Sequence, residues 1–479
     1  MIPARFGSRR SHLVAASALL AGLAAVLRLP FLGTIGPDEG GYAWVALAWA
    51  RGGHLYGTDW IDRPQGLVLA YRLLLDIAHQ AWAIRLGALL AGVAITLLLV
   101  AIGYLLESPA VGLTAGLLYA VVGVGPHIEG YTFNGELAAG VPATAAVAAA
   151  AVALRRTSLR WFALAGALGA CGVLMKQSGF DGLAIALAAA AIPAGARIRR
   201  IAVVLGAAAV PLGAALLDGW ALGWHAYWSA LAGYRLNGAG LLIGSASRVA
   251  YFLNSFQFAW HEVLPLAIVA AAGIRAIRWR SGIALLPVVW FLAAFIGFNL
   301  GGLYWRHYYV QLVPPLALLA AIGLVRIGTR RTALGVALLA APVLAFVLKV
   351  AHAPDRRSDR MISYAYAYEN DQRVAHWVRA HTSARDTVFA LESRADFYFL
   401  ADRRPATPYI WGHPLNEIPG ALPSLVRTLS DEGRPKFVVL FQRPGPRLAP
   451  VVRRDYALVW RAPRSGMEVL AADPDRRRD

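Results

Sequence analysis

Charge is what this 479-residue chain has least of: 15% of its residues are charged against 58% hydrophobic, and its mean hydropathy is +0.53. Soluble domains carry about 25% charged residues, so a chain that is soluble throughout is excluded. Cysteine is nearly absent as well. The single one, Cys171, lies in an apolar run, which excludes a disulfide framework and leaves the redox compartment undefined. Lysine is scarce, three among 46 basic residues, so each lysine stands out in a chain that otherwise uses arginine.

What the chain has instead is a series of long apolar runs. "SHLVAASALLAGLAAVL", "AIRLGALLAGVAITLLLVAIGYLL" and "LLPVVWFLAAFIGFNL" approach or reach the roughly 20 residues that carry a helix across a bilayer core. Helical spans are expected near 12–33, 84–106, 109–125, 137–154, 161–176, 182–196, 201–217, 252–274, 282–300, 308–325 and 332–350. The net charge of +19 would suggest nucleic acid in a soluble protein, but here it sits in arginine clusters at the ends of apolar runs, such as "RRTSLR", "RIRR" and "RAIRWR". That is the positive-inside pattern, and it removes nucleic acid as a partner. The N-terminus is then cytoplasmic. Its start mimics a signal peptide, but the many further apolar blocks favour an uncleaved signal-anchor helix.

With eleven spans, the C-terminus falls outside. Inside loops are short and basic. Outside loops hold the reactive side chains: 34–83, "PHIEGYTFNGE" at 126–136, "KQSGFDG" at 176–182, the Trp- and Tyr-rich 218–251, and "GGLYWRHYY" at 301–309. The membrane part is expected over 1–352 and a soluble domain over 355–479. In the latter, "NDQRVAHWVRAHT" and "LPSLVRTLSDEG" have helical spacing while "DTVFAL" and "KFVVLF" read as buried strands, giving a small α/β domain on the outer surface. The closing "PDRRRD" reads as a solvated tail.

The segment "GPDEGGYAWVALAWARGGHLYGTDWIDRPQG", residues 36–66, concentrates acids and aromatics. Pro37 suits a first helical turn, and Asp38 and Glu39 follow it where unpaired N–H groups and the helix dipole favour negative charge, so Asp38 is expected to be ionised. Tyr42, Val45, Ala46 and Trp49 recur at helical spacing, which suits a short helix lying in the membrane interface. Asp59 and Asp62 precede the turn at Arg63-Pro64, and Glu136 opens another outer helix. Each residue has a plain reading: helix-start acids for Asp38, Glu39 and Glu136, a hydrogen-bonded loop residue for His127, a snorkelling end for Lys176, and an interface anchor for Arg306 and His307. The competing role of Lys176, Arg306 and His307 is phosphate binding between aromatic walls. Together, Asp38, Glu136, Lys176 and Arg306 are expected to line one outward-facing cavity.

"GPDEGGY" followed by "YGTDWIDRPQG" resembles the first outer loop of the GT-C superfamily of polyprenyl-phosphate-dependent glycosyltransferases, and within it the bacterial branch related to protein O-mannosyltransferases and lipid A aminoarabinose transferases. An acidic pair, an aromatic and a basic-Pro turn follow in that order, here Asp38-Glu39, Tyr42 and Arg63-Pro64. Where the family often shows Lys-Pro-Pro, this chain has "RPQG". "FNGEL" is similar to the family's second outer loop, "GGLYWRHYYVQLVPPLALLAAIGL" to its late span, and "VAHWVRAHTSARDTVFALESRADFYFLADRRPAT" to its outer C-terminal domain.

The resemblance implies a GT-C-like, α-helical multi-span membrane protein of about eleven transmembrane helices with a small C-terminal α/β extracytoplasmic domain, in the bacterial cytoplasmic membrane. It implies sugar transfer, with inversion, from a polyprenyl-phosphate-linked donor to a hydroxyl of a glycan, lipid or protein acceptor. Asp38 would be the general base, with Glu39 and Glu136 in the catalytic set. Lys176, Arg306, His307 and Arg63 would meet the donor phosphate. Tyr42, Asp62, His127 and Tyr304 would face acceptor or sugar, and apolar helices and membrane lipids would hold the polyprenyl tail. No cofactor is required; a divalent cation, where one takes part, falls to Asp38 and Glu136. A transporter or flippase is the alternative, but transporters place ionisable groups near the midplane and often show internal repeats, whereas here the charges crowd at the outer helix ends. A scaffold whose outer domain binds envelope partners is a third reading.

Overall fold

The computed structural model describes residues 4–236, 244–277, 282–352, 365–391, 394–463 and 465–473. Helix α1 (Ala4–Val26) leads into two shorter helices, α2 (Pro37–Ala50) and α3 (Gln65–Leu75). There follow α4 (Ala81–Leu106), α5 (Pro109–Val122), α6 (Gly135–Arg156), α7 (Leu159–Met175), α8 (Asp181–Ala191) and α9 (Arg197–Ala221), then α10 (Ser245–Ala276), α11 (Leu286–Leu300), α12 (Val313–Arg326) and α13 (Thr329–His352).

Every expected span falls on one of these helices, and among the described residues eight helical segments are long and apolar enough to cross a membrane. Helices α5, α7 and α8 are shorter and pack among the long ones, α7 between α6 and α9, and α8 against α6 and α7. Their ends are set locally: α5 starts at Pro109 behind Ser108, whose hydroxyl accepts from Val111 N–H at 3.3 Å. The segment Arg306–Arg326 is the hub, with 94% of its apolar window buried, whereas the corresponding shares for α9 and the first span are 11% and 17%, leaving those helices to face lipid. Helix α10 runs against α12 through Gly273, where a Cβ would lie 1.9 Å from the Leu319 carbonyl oxygen; only glycine allows that approach.

Helix α3 lies in what reads as a continuous outer loop. Leu67, Val68, Tyr71 and Leu75 form its buried face, packing it against α2, α4 and α7. Helix α2 differs more from expectation. It is not an interfacial helix with one wet face, since Glu39 through Leu47 are all buried.

What covers α2 is the C-terminal domain. Its described elements are α14 (Ala365–Ala380), β1 (Thr387–Leu391), α15 (Ala395–Ala401), β2 (Arg404–Pro405), α16 (Gly412–Glu417), α17 (Ala421–Ser430), β3 (Phe437–Leu440), α18 (Ala449–Asp455), β4 (Tyr456–Arg461) and β5 (Glu468–Ala472). The sheet order is β2-β1-β3-β5-β4, with β1 parallel to β2 and β3, and β5 antiparallel to β3 and β4. The expected helices and strands are all present. The expected boundary near 352–355 meets residues 353–364, and the tail "PDRRRD" occupies 474–479; both lie outside the described residues.

Docking of this domain explains the two glycines of "DEGGY". A Cβ at Gly40 would lie 2.3 Å from Asp396 Cα, and one at Gly41 would lie 2.4 Å from the Trp411 ring. Helix α15 therefore rests directly on the α2 backbone. At the rim, Arg51 meets Asp402 at 2.7 Å.

Candidate active site

The first turn of α2 sends its two carboxylates to different places. Glu39 reaches back to accept from Gly36 N–H at 2.9 Å, and its other oxygen accepts from Phe133 N–H at 2.8 Å. Arg85 of α4 meets it at 2.9 Å and also donates to the Thr34 and Tyr131 carbonyls. Glu39 thereby joins the first outer loop, the second outer loop and α4. Its carboxylate is committed to holding them.

Asp38 instead stands half-buried on the wall of a cavity of about 280 Å³. The cavity lies between α2, the Asp62-Arg63 turn, the loop around Glu129, the segment 303–308, Tyr234-Arg235 and, from the C-terminal domain, Trp411, His413 and Pro414. Among the described residues Asp38 pairs with no cation; its side-chain partner is the Trp411 indole, which donates to Oδ1 at 3.0 Å. Burial pushes the Asp38 pKa up, with His307 and Arg63 pulling it back. The helix-start position does not hold it low, because desolvation outweighs the dipole.

Asp62 shows the opposite balance. Arg63 meets it at 2.7 Å and Arg235 binds its other oxygen. Burial alone would raise its pKa, but the two guanidinium groups hold it below the ordinary carboxylate range. One acid shared by two arginines leaves a surplus positive charge on the wall of the cavity that Asp38 also lines. Arg63 also lies 5.7 Å from the ring of Tyr42, which packs against Tyr71 and Trp411.

The remaining expected residues divide. His307 lines the cavity, with Nδ1 3.3 Å from Glu129 and Nε2 3.8 Å from Glu136. Glu136 is buried and bound to Lys176, whose ammonium lies 3.8 Å from the centre of the Tyr308 ring. These two form an ion pair behind Tyr308 and do not line the cavity. Arg306 meets Glu129 at 3.0 Å and lines an adjoining cavity of about 280 Å³ with Phe258 and Tyr304; Leu303, Trp305 and His413 are common to both cavities. Tyr304 donates to Asn299 at 2.8 Å. His127 is elsewhere: its Nδ1 is 2.9 Å from Glu262 of α10, to which the backbone N–H groups of His127 and Ile128 also donate. Of the four side chains expected to share one cavity, Asp38 alone lines it. For Lys176 and Glu136 the physical reason is pairing: a buried charge takes the nearest opposite one, which holds the two together behind Tyr308, while Arg306 lines the adjoining cavity instead.

Several lining residues escape a reading of the sequence. Glu129 stands in the quoted second outer loop, and Arg235 in the aromatic-rich one, without a motif to mark either. Trp411 and His413, in "WGHP" of the C-terminal domain, are more than 370 positions from Asp38, and only the docking of that domain brings them in. Asp59 does not line the cavity and lies in its own loop, beside Thr58.

The donor set for a divalent cation is not assembled at the expected pair, because Glu136 is bound to Lys176. Among the described residues no three His, Cys, Asp or Glu side chains gather as a metal site.

No family model and no curated protein matches the chain. Solved structures match it over nearly its whole length. ArnT from Cupriavidus metallidurans bound to undecaprenyl phosphate matches with a TM-score of 0.68 and 14% identity, over 98% of this chain and 99% of that one. Its apo form gives a TM-score of 0.69 with the same identity and coverage. The archaeal oligosaccharyltransferase AglB from Archaeoglobus fulgidus, in complex with an inhibitory peptide and a dolichol-phosphate, matches with a TM-score of 0.56 and 13% identity, over 97% of this chain and 75% of that one. The likeness is one of fold: a multi-span helical membrane part capped by a small C-terminal domain, as the GT-C resemblance implies.

Proposed function

We propose that the chain is an integral membrane glycosyltransferase that moves a sugar from a polyprenyl-phosphate donor to an acceptor hydroxyl at the outer face of the bacterial cytoplasmic membrane, with inversion and with Asp38 as general base. The observation that carries this reading is Asp38 itself, a cation-free carboxylate facing the surplus charge of Arg63 and Arg235 within one cavity.

An acceptor hydroxyl is a poor nucleophile, and a positioned base contributes about 10²–10⁴-fold to its attack. Asp38 takes the proton as the acceptor oxygen bonds to the anomeric carbon. The bond from that carbon to the phosphate oxygen breaks at the same time, on the opposite face, so one displacement inverts the centre. The departing phosphate gains negative charge, which the Arg63–Arg235 side of the cavity offsets. His307, held by Glu129, and Arg306 at the adjoining cavity extend that positive wall towards α10. Lys176 acts behind the wall by holding Glu136, and Tyr42 and Tyr304 present rings to sugar and donor.

The fold neighbours support a lipid-phosphate donor, since ArnT was solved with undecaprenyl phosphate and AglB with a dolichol-phosphate. The adjoining cavity suits the phosphate-proximal end of such a donor, with Arg306 beside Phe258 and an α10 surface that exposes Phe258 and Trp260. The arginine clusters after α6, before α9 and after α12 lie at the helix ends opposite the site, which supports an outward-facing cavity. The scheme uses no metal step. A transporter fits less well, because the cavity is roofed by Trp411 and His413 and the acid within α10, Glu262, is bound to the His127 loop.

The test is transfer from radiolabelled polyprenyl-phosphate hexoses and pentoses by the purified full-length chain. Asp38→Asn is expected to abolish transfer while thermal unfolding stays unchanged. Undiminished turnover in that variant removes Asp38 as the base.

A further inference from the structure

Beside the main cavity lies a cleft of about 370 Å³, within the range of small-molecule pockets, roughly 300–1,000 Å³. Tyr56 and Trp60 of the first outer loop form its back, Tyr234 and Tyr409 its sides, and His225 and Glu417 its polar rim. Trp60 meets Tyr234 edge-on at 5.2 Å and Tyr409 at 5.5 Å, so the three rings brace one another. Tyr234 belongs to both the cleft and the main cavity, and its hydroxyl is 2.8 Å from His413 Nδ1.

The lining selects among ligand classes. Among the described residues no lysine or arginine lines it, unlike the two cavities that hold Arg63, Arg235 and Arg306, so its lining offers a phosphate or an anionic headgroup no counter-charge. Ile418 is the one large aliphatic side chain, too little for an acyl or polyprenyl tail. Aromatic rings with a few polar groups suit a ligand that has a C–H face and a hydroxyl edge. A pyranose or furanose ring has both: its apolar face stacks on an aromatic, and its hydroxyls meet a carboxylate, an imidazole and the Ser229 hydroxyl.

We propose that this cleft is the acceptor subsite and that the acceptor is a neutral oligosaccharide, whose terminal sugar passes Tyr234 to bring its hydroxyl to Asp38. The proposal rests on the glycosyltransferase reading above for its last step, and on the cleft alone for saccharide binding. The acceptor then reaches the main cavity past Tyr234 and the donor through the cavity that holds Arg306, and an inverting displacement needs only that nucleophile and leaving group lie on opposite faces of the anomeric carbon.

Saturation-transfer NMR on the detergent-purified full-length chain, without donor, reads binding directly. The probes are mannohexaose, arabinohexaose and chitohexaose, with a serine- and threonine-rich decapeptide as the competing class. At least one saccharide is expected to bind, and Tyr409→Ala is expected to weaken it about tenfold, with Glu417→Gln giving a smaller loss. Thermal unfolding of each variant separates a lost site from a lost fold; if Tyr409→Ala unfolds, Tyr409→Leu takes its place. Binding of the peptide alone, of no probe, or of a saccharide indifferent to the folded Tyr409 variant overturns the proposal. Release of sugar from the lipid donor to water in Asp38→Asn tests the catalytic reading separately, so each can fail without the other.

Discussion

Trp411 donates its indole N–H to Oδ1 of Asp38 at 3.0 Å, joining the C-terminal domain to the first turn of α2 across 373 positions of sequence. A hydrogen bond to a carboxylate favours its ionised form, so this contact lowers a pKa that burial raises. Trp411→Phe keeps the aromatic ring but removes the donor. The Asp38 pKa should then rise further. A base works above its pKa, so the acid limb of the kcat/KM profile for transfer should move to higher pH, with activity lost first on the acid side. A profile that moves to lower pH, or not at all, separates Trp411 from Asp38 chemistry.

Adjacent acids should give opposite phenotypes. Glu39→Gln leaves Arg85 buried without its carboxylate and weakens the bonds to Gly36 and Phe133, and removing one partner of such a pair costs about 3–5 kcal/mol. Asp38→Asn removes a charge that has no cation to lose. Thermal unfolding in detergent should therefore show a large drop for Glu39→Gln and none for Asp38→Asn, while transfer is lost in both.

Gly40→Ala should undock the outer domain. Its Cβ would lie 2.3 Å from Asp396 Cα, a backbone atom that cannot swing aside as a flexible side chain does. Hydrogen–deuterium exchange of α2, buried from Glu39 to Leu47, should rise, and transfer should fall at least about tenfold because Trp411 and His413 leave the cavity. Equal exchange in variant and parent would show that the domain accommodates the methyl group.

The sequence reveals what local pattern encodes. The apolar runs locate the helices, and Pro37 with two acids marks the turn from which Asp38 faces the cavity. It does not reveal partners chosen by tertiary contact. Lys176 looks like a free cation at a helix end until Glu136 is seen beside it, and His127 looks like a site residue until Glu262, one acid within a long span, is found beneath it. The glycines after Asp38-Glu39 carry no local mark of being the seat of a domain, yet Gly40 lies against Asp396 and Gly41 against Trp411. Arg235 and Trp411 have no local mark at all, because their roles arise only when distant loops close one cavity.

Lys176 and Glu136 allow the charge-pairing argument to be tested against phosphate binding. Lys176→Met leaves Glu136, 2% exposed, with His307 at 3.8 Å as its nearest remaining cationic group, and should cost about 3–5 kcal/mol. The double variant Lys176→Met/Glu136→Leu removes both charges and should regain most of that loss, as matched replacement of a buried pair generally does. If Lys176 is spent on Glu136, the double variant should also keep its KM for the lipid donor within about threefold of the parent, a change under roughly 1 kcal/mol. Recovered stability with a KM raised tenfold or more would instead put the ammonium on the donor phosphate, with Glu136 as its resting partner.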